Sequence, residues 1–137
     1  MMVLLYALTL LAGVYGTIGE PETGLGLLTK ALTLADTLGQ RWYKSELHRL
    51  KGELLLARST ENRAEAEACF HRALEVARQQ SARAFELRAA TSLARLWAEQ
   101  GRRSEARNLL ASVYDWFTEG FETRDLKEAK ALLDELR

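Results

Sequence analysis

The sequence predicts an all-α chain built from three stacked helical hairpins and a seventh, capping helix. Three observations lead there. Ala, Leu, Glu and Arg abound beside a single proline, a mixture that favours helix because these side chains lose little rotamer freedom in it. No strand-length run of β-branched residues interrupts the 137 residues. One helix-packing code, a small residue followed by a large apolar one and then a second small one, recurs three times: Gly24, Leu28, Ala31; Ala66, Phe70, Ala73; Ala106, Leu110, Val113. The trios begin 42 and then 40 residues apart. Helix pairs at such a period stack into a solenoid, each burying a face against the next. A single domain over 1–137 is expected, with units at about 2–39, 41–79 and 82–118 and a cap at about 124–136.

The first helix, about 2–18, carries Leu8, Leu11 and Tyr15 at the three-then-four spacing of a packed face. Val3, Leu4, Leu5 and Val14 add apolar surface in other directions, so this helix needs cover on more than one side. MMVLLYALTLLAGVYG has an apolar core of signal-peptide length, but no Lys or Arg precedes it and it runs straight into the repeat pattern. It is also short for a membrane span. A first packed helix, ended by Gly19, is the expectation. Pro21 suits the first turn of the second helix, where its missing N–H costs little, and Gly39 stops that helix after about residue 38. Gly24 and Gly26 stand inside it, each at a cost of about 1 kcal/mol relative to Ala, which close helix approach would offset.

The third helix, about 41–57, repeats the spacing of the first with Leu47, Leu50 and Leu54, and a polar loop at 58–62 follows. The fourth, about 64–79, holds the most regular stretch of the chain, AEAEACFHRALEVA. The fifth, about 82–100, carries Ala90, Leu93 and Trp97, and Gly101 closes it. The sixth, about 104–118, includes Leu109, Leu110, Val113, Trp116 and Phe117. Gly120 then Phe121 predicts a left-handed C-terminal cap with a hydrophobic contact folded back onto that helix. Thr123 is placed to cap the seventh helix, about 124–136. That helix is amphipathic through Leu126, Ala129, Leu133 and Leu136, and its charged face would seal the stack.

Nineteen basic residues balance nineteen acidic ones, so no global field draws in nucleic acid or anionic lipid, and little opposes self-association. Cys69 is the single cysteine, which excludes an internal disulfide framework and fits a reducing, cytoplasmic setting.

YGTIGEPETGLGLLTKAL and WAEQGRRSEARNLLASV resemble the tetratricopeptide repeat in their order of aromatic, turn glycine, small, large apolar and small residue, and AEAEACFHRAL is similar to its second half. The units are longer than the usual 34 residues of that repeat, and its customary proline after the second helix is absent. RLKGELLLA (49–57), ACFHRALEVARQQ, ELRAATSLARLWAEQGR and the closing YDWFTEGFETRDLKEAKALLDEL resemble the long helical repeats that end certain large bacterial proteins. These are ATPase-containing transcriptional activators of the maltose-activator and LuxR type, and adenylate or guanylate cyclase-like proteins. The resemblance implies a right-handed α-solenoid with a protein-binding, regulatory role in signalling or transcription. It also implies that the chain is the tail of such a protein or a stand-alone relative. A HEAT-like stack is the alternative architecture, because its period of about 40–47 also fits.

Little in the sequence points to chemistry. Cys69 and His71 stand two apart on one helix, so their side chains diverge by about 200° and do not converge on one ion. Ser45 and His48 are one turn apart, a spacing common by chance on a helix. No glycine-rich loop ends in Lys-Ser or Lys-Thr. The expectation is a non-enzymatic chain with no metal and no cofactor; a small enzyme using His48 or Cys69 is the weakest alternative.

In tetratricopeptide stacks the first helix of each pair lines a concave groove. Aligning Leu50 with Leu11 and Leu93 turns Thr9, Gly13, Ser45, His48, Gly52, Arg88, Thr91 and Arg95 toward that groove. Small residues would keep it shallow, and Arg88 with Arg95 would make it mildly basic, which fits a protein or peptide partner with acidic groups. This setting leaves Lys51 where Ala12 and Ala94 stand, at a close-packed spot. Moving the third helix by one residue would put Gly52 there and turn Arg49 and Glu53 to the groove, and both settings are open. The uncovered face of the first helix, with Val3, Leu4 and Leu5, is expected to form a homodimer or to dock on an upstream domain. Nucleic-acid binding by the stripe Arg41, Lys44, His48 and Lys51 is disfavoured by the zero net charge and the lack of interleaved aromatics. No membrane partner is expected.

Overall fold

The computed structural model describes the backbone of residues 2–39 and 43–137, with the side chains of 2–6 and 38 outside the described residues. Among these, seven α-helices run in order: α1 (Met2–Thr17), α2 (Pro21–Leu38), α3 (Lys44–Arg58), α4 (Arg63–Gln79), α5 (Arg83–Glu99), α6 (Arg103–Tyr114) and α7 (Arg124–Leu136). A 3₁₀ turn, Thr60–Asn62, joins α3 to α4, and the described residues include no strand. The chain is all-α. Each helix packs on its neighbour in sequence, and α1 also touches α3, α3 touches α5 and α5 touches α7. Among the described residues no even-numbered helix touches another. The odd helices therefore form one row, with the even helices behind it.

Several helix ends follow from local chemistry. Gly19 (φ 85°) and Gly101 (φ 80°) turn left-handed after α1 and α5. The next amides, of Glu20 and Arg102, donate back to the carbonyls of Tyr15 at 2.7 Å and Trp97 at 2.8 Å, using acceptors the helices leave free. α4 ends by the same turn at Ser81 (φ 54°), with the Ala82 amide donating to the Ala77 carbonyl at 2.8 Å. At the other end of the α3–α4 connection, Asn62 Nδ2 donates to the Leu55 carbonyl at 3.0 Å.

Three expectations at the α6–α7 junction are corrected. α6 stops at Tyr114, not near 118, and Trp116, Phe117, Gly120 and Phe121 belong to the connection. Trp116 and Phe121 stay largely exposed there, held by ring and cation contacts at the surface. Trp116 lies under the Arg83 guanidinium at 4.8 Å and edge-on to Phe117 at 5.2 Å, while Phe121 meets Tyr114 at 5.8 Å. Gly120 is left-handed (φ 79°), but inside this connection and not as the cap of α6. Thr123 precedes α7 with an extended backbone, yet its side chain makes no capping hydrogen bond. The expected start of α3 at 41 lies outside the described residues; the described helix begins at Lys44.

The core is in two parts. Ala12, Leu28, Ala31, Ala35, Tyr43, Leu47 and Leu54 bind α1–α3 together. A larger cluster runs from Leu55 through Phe70, Leu93 and Leu110 to Leu133 and Leu136. Leu54 sits in a glycine-lined socket: a Cβ on Gly24 would lie 3.1 Å from Leu54 Cδ1 and 2.7 Å from the Ala12 carbonyl oxygen, and one on Gly16 would collide with Leu54 Cδ2. Close approach of α1, α2 and α3 thus accounts for Gly16 and Gly24, but not for Gly26, where, against expectation, a Cβ would meet nothing within 4 Å. On the described part of α1 the buried residues are Thr9 and Ala12, while Leu11, expected in the packed face, is exposed. The small residue, not the large one, marks the line of closest helix contact.

Candidate partner groove

The row of odd helices lines an open cavity of about 1010 Å³. α1 turns Thr9, Leu10, Gly13, Val14, Thr17 and the following Ile18 to it, and α3 turns Glu46, Arg49, Leu50 and Glu53. α5 adds Arg88, Thr91, Ser92 and Arg95, and α7 adds Arg124, Asp125 and Glu128. Of the residues expected there, Thr9, Gly13, Arg88, Thr91 and Arg95 line the cavity.

Ser45, His48 and Gly52 do not. Ser45 is buried, with its Oγ donating to the Ala73 carbonyl of α4 at 2.9 Å. A Cβ on Gly52 would meet Phe70 Cε1 at 2.5 Å. His48 is half-buried, and burial first, then the charges of Arg72, Lys44 and Lys51, press its pKa below the ordinary 6.5. α3 thus takes the setting that makes Ala12, Gly52 and Ala94 equivalent, and Thr9–Arg49–Thr91 and Gly13–Glu53–Arg95 become rows across the groove. Leu47, Leu50 and Leu54 satisfy either setting; the contact of Gly52 with Phe70 allows only one.

The electrostatics also depart from expectation. Four arginines (Arg49, Arg88, Arg95, Arg124) face four carboxylates (Glu46, Glu53, Asp125, Glu128) in the lining, so the groove is balanced and not basic. Glu46, only 4% exposed, accepts Arg49 Nε at 2.8 Å and Nη2 at 3.1 Å on its two oxygens and pairs with Arg88 at 3.4 Å. Arg88 Nε donates to Asp125 at 2.7 Å, and Arg49 Nη1 reaches Ser92 Oγ at 3.4 Å. Burial is the largest single influence and works against the charge on both arginines, but the hydrogen bonds to Glu46 and Asp125, together with the charges of Glu46, Glu53 and Asp125, outweigh it and hold their pKa values above the ordinary one. This chain of ion pairs ties α3, α5 and α7 along the groove floor. Its only sequence signal is the i,i+3 spacing of Glu46 and Arg49; Arg88 and Asp125 lie 37 residues apart. Arg95 points outward, with no ion pair among the described residues.

No protein-family model and no curated protein matches the chain.

The other candidate residues are scattered. Cys69 is half-buried, and burial raises its pKa. His71 pairs with Glu67 at 3.5 Å and leans on Trp97 at 5.8 Å, which Arg102 also covers at 4.5 Å. Among the described residues no group of three or more His, Cys, Asp or Glu is arranged to hold a metal ion, and no helix is long and apolar enough to cross a membrane. The side chains of Val3, Leu4 and Leu5 lie outside the described residues. The exposed apolar surface of the described part of α1 consists of Leu10, Leu11, Val14 and, just beyond the helix, Ile18.

Proposed function

We propose that the chain is a non-enzymatic, tetratricopeptide-like module, a right-handed solenoid of three hairpins and a cap, that holds a peptide or helix of a partner protein. The observation that carries this reading is the single cavity lined by α1, α3, α5 and α7, with an apolar wall from Leu10, Val14 and Ile18 and a floor of mutually neutralised ion pairs. A partner that suits it is amphipathic, with its apolar side against that wall and a carboxylate reaching Arg95. The resemblance of RLKGELLLA and the closing stretch supports a regulatory role attached to a larger bacterial ATPase- or cyclase-type signalling protein, as its tail or as a stand-alone relative.

A displayed peptide library selected on the chain tests this. A Cβ on Gly13 meets nothing within 4 Å, so Gly13→Phe fills the groove without disturbing helix packing. Selected peptides are expected to lose at least about tenfold in affinity, or about 1.4 kcal/mol, to Gly13→Phe, and part of it to Arg95→Glu. Peptides that bind both variants as tightly as the original chain would overturn the reading.

A further inference from the structure

The three hairpins are built on one plan, and that plan assigns a role to the exposed face of α1. In the setting fixed by Gly52, the residues Val14, Leu54 and Leu96 hold the same place on α1, α3 and α5. Leu54 is 2% exposed and fills the socket that Gly16 and Gly24 open in the hairpin before it. Leu96 is 1% exposed, in the cluster that contains Leu55 and Ala66. Val14 is 53% exposed, and Leu10 and Ile18, one turn to either side, are exposed with it. Two of the three equivalent knobs are therefore seated and the third is open.

We propose that this face of α1 docks a helical hairpin of a partner protein, one whose two helices present Gly or Ala at the places of Gly16 and Gly24, with Val14 as the inserted knob. The interface would continue the one that already joins α1–α2 to α3, with the same small-against-large complementarity. A second copy of this chain is a poor occupant. Its Gly16–Gly24 socket is filled by its own Leu54, and its far end is closed by α7, which buries Leu126, Leu132, Leu133 and Leu136. Val14 also lines the groove, so the test reads the stability of the chain with no groove ligand present, a quantity that groove occupancy does not enter.

The test extends the full chain with a second socket of the kind that Gly16 and Gly24 form. A second copy of residues 2–43 is placed ahead of Leu4, in the spacing that separates α2 from α3. The added unit is expected to raise Tm by at least about 5 °C. Val14→Asp in the original unit should abolish that gain while leaving the unextended chain's Tm within about 2 °C, because Val14 is half in solvent there. Gly16→Leu in the added unit alone should abolish the gain as well, by filling the socket from its own side. No gain from the added unit, or a gain that survives both substitutions, would overturn the proposal. So would light scattering that shows the unextended chain as a dimer made monomeric by Val14→Asp, since the face would then be complementary to itself.

Discussion

Gly52 lies so close to the ring of Phe70 that a Cβ on it would stand 2.5 Å from Cε1, inside the distance any side-chain carbon tolerates. Phe70 is fully buried and cannot swing away. Gly52→Ala is expected to destabilise the chain by about 1–3 kcal/mol through overpacking, with part of the loss recovered by Phe70→Leu in the same chain. Gly26 is the contrast: it is exposed in α2 and a Cβ there meets nothing within 4 Å. Gly26→Ala should gain about 0.5–1 kcal/mol. Urea unfolding of the two variants should move in opposite directions, and a shared direction would refute the packing account.

Glu46 is the only carboxylate joined to both Arg49 and Arg88 among the described ion pairs. Glu46→Gln keeps its shape and removes its charge. Both arginines keep some contact with water, so the expected loss is about 2 kcal/mol, below the range for a fully buried pair. In an Arg88→Ala background the same substitution should cost less, because the two residues interact. A double-mutant cycle by denaturant unfolding measures the difference, and strict additivity would show that the 3.4 Å approach contributes nothing.

Ser81 holds a left-handed backbone at φ 54°, a conformation that costs an L residue about 1–2 kcal/mol. Ser81→Gly is expected to raise stability by about 1 kcal/mol, and Ser81→Val to lower it, in thermal melts. A destabilised glycine variant would mean that the serine side chain supports this turn.

His48 resists protonation in the folded chain and not in the unfolded one. Its folded pKa lies below 6.5, from burial and then the nearby Arg72, Lys44 and Lys51, with Asp36 acting the other way. At pH values just under 6.5 the unfolded chain binds more protons, so stability must fall as the pH drops through that value until folded His48 also protonates. Above 6.5 the contribution is constant. Melting temperatures measured between about pH 7.5 and 5.5 should fall more for the original chain than for His48→Gln; parallel profiles would contradict the assignment.

The all-α class and the order of helices were legible because they rest on local signals: Pro21 and Gly39 bracket α2, and Gly101 follows α5. The small-large-small trios named residues such as Ala66, Phe70 and Ala73 that are fully buried. The orientation of α3 was harder. Its leucines mark a broad apolar face, and a one-residue rotation depends on a contact with Phe70 that sequence spacing does not encode. For the same reason Ser45 and His48 were expected in the groove and stand against α4 or beside it. Glu46, at the centre of the groove's ion pairs, is not distinguished in the sequence, because a buried carboxylate looks like any other Glu on a charged helix. The end of α6 was harder to place, since aromatic residues such as Trp116 and Phe117 suit a helix end as well as a connection, and their partner Arg83 lies on α5, far away in the sequence.

The division of the core into two clusters has a consequence for how the chain breathes. The smaller one, around Leu28, Leu47 and Leu54, holds α1 and α2 to the rest, whereas α4–α7 share the larger. Such a chain need not open all at once. Its backbone amides should exchange with solvent in a gradient, fastest in α1 and α2 through partial openings that withdraw Leu54 from between Gly16 and Gly24, and slowest around Phe70 and Leu93. The glycines that let α1 and α2 come close thus also define the seam, around Leu54, along which these two helices are expected to part from the rest.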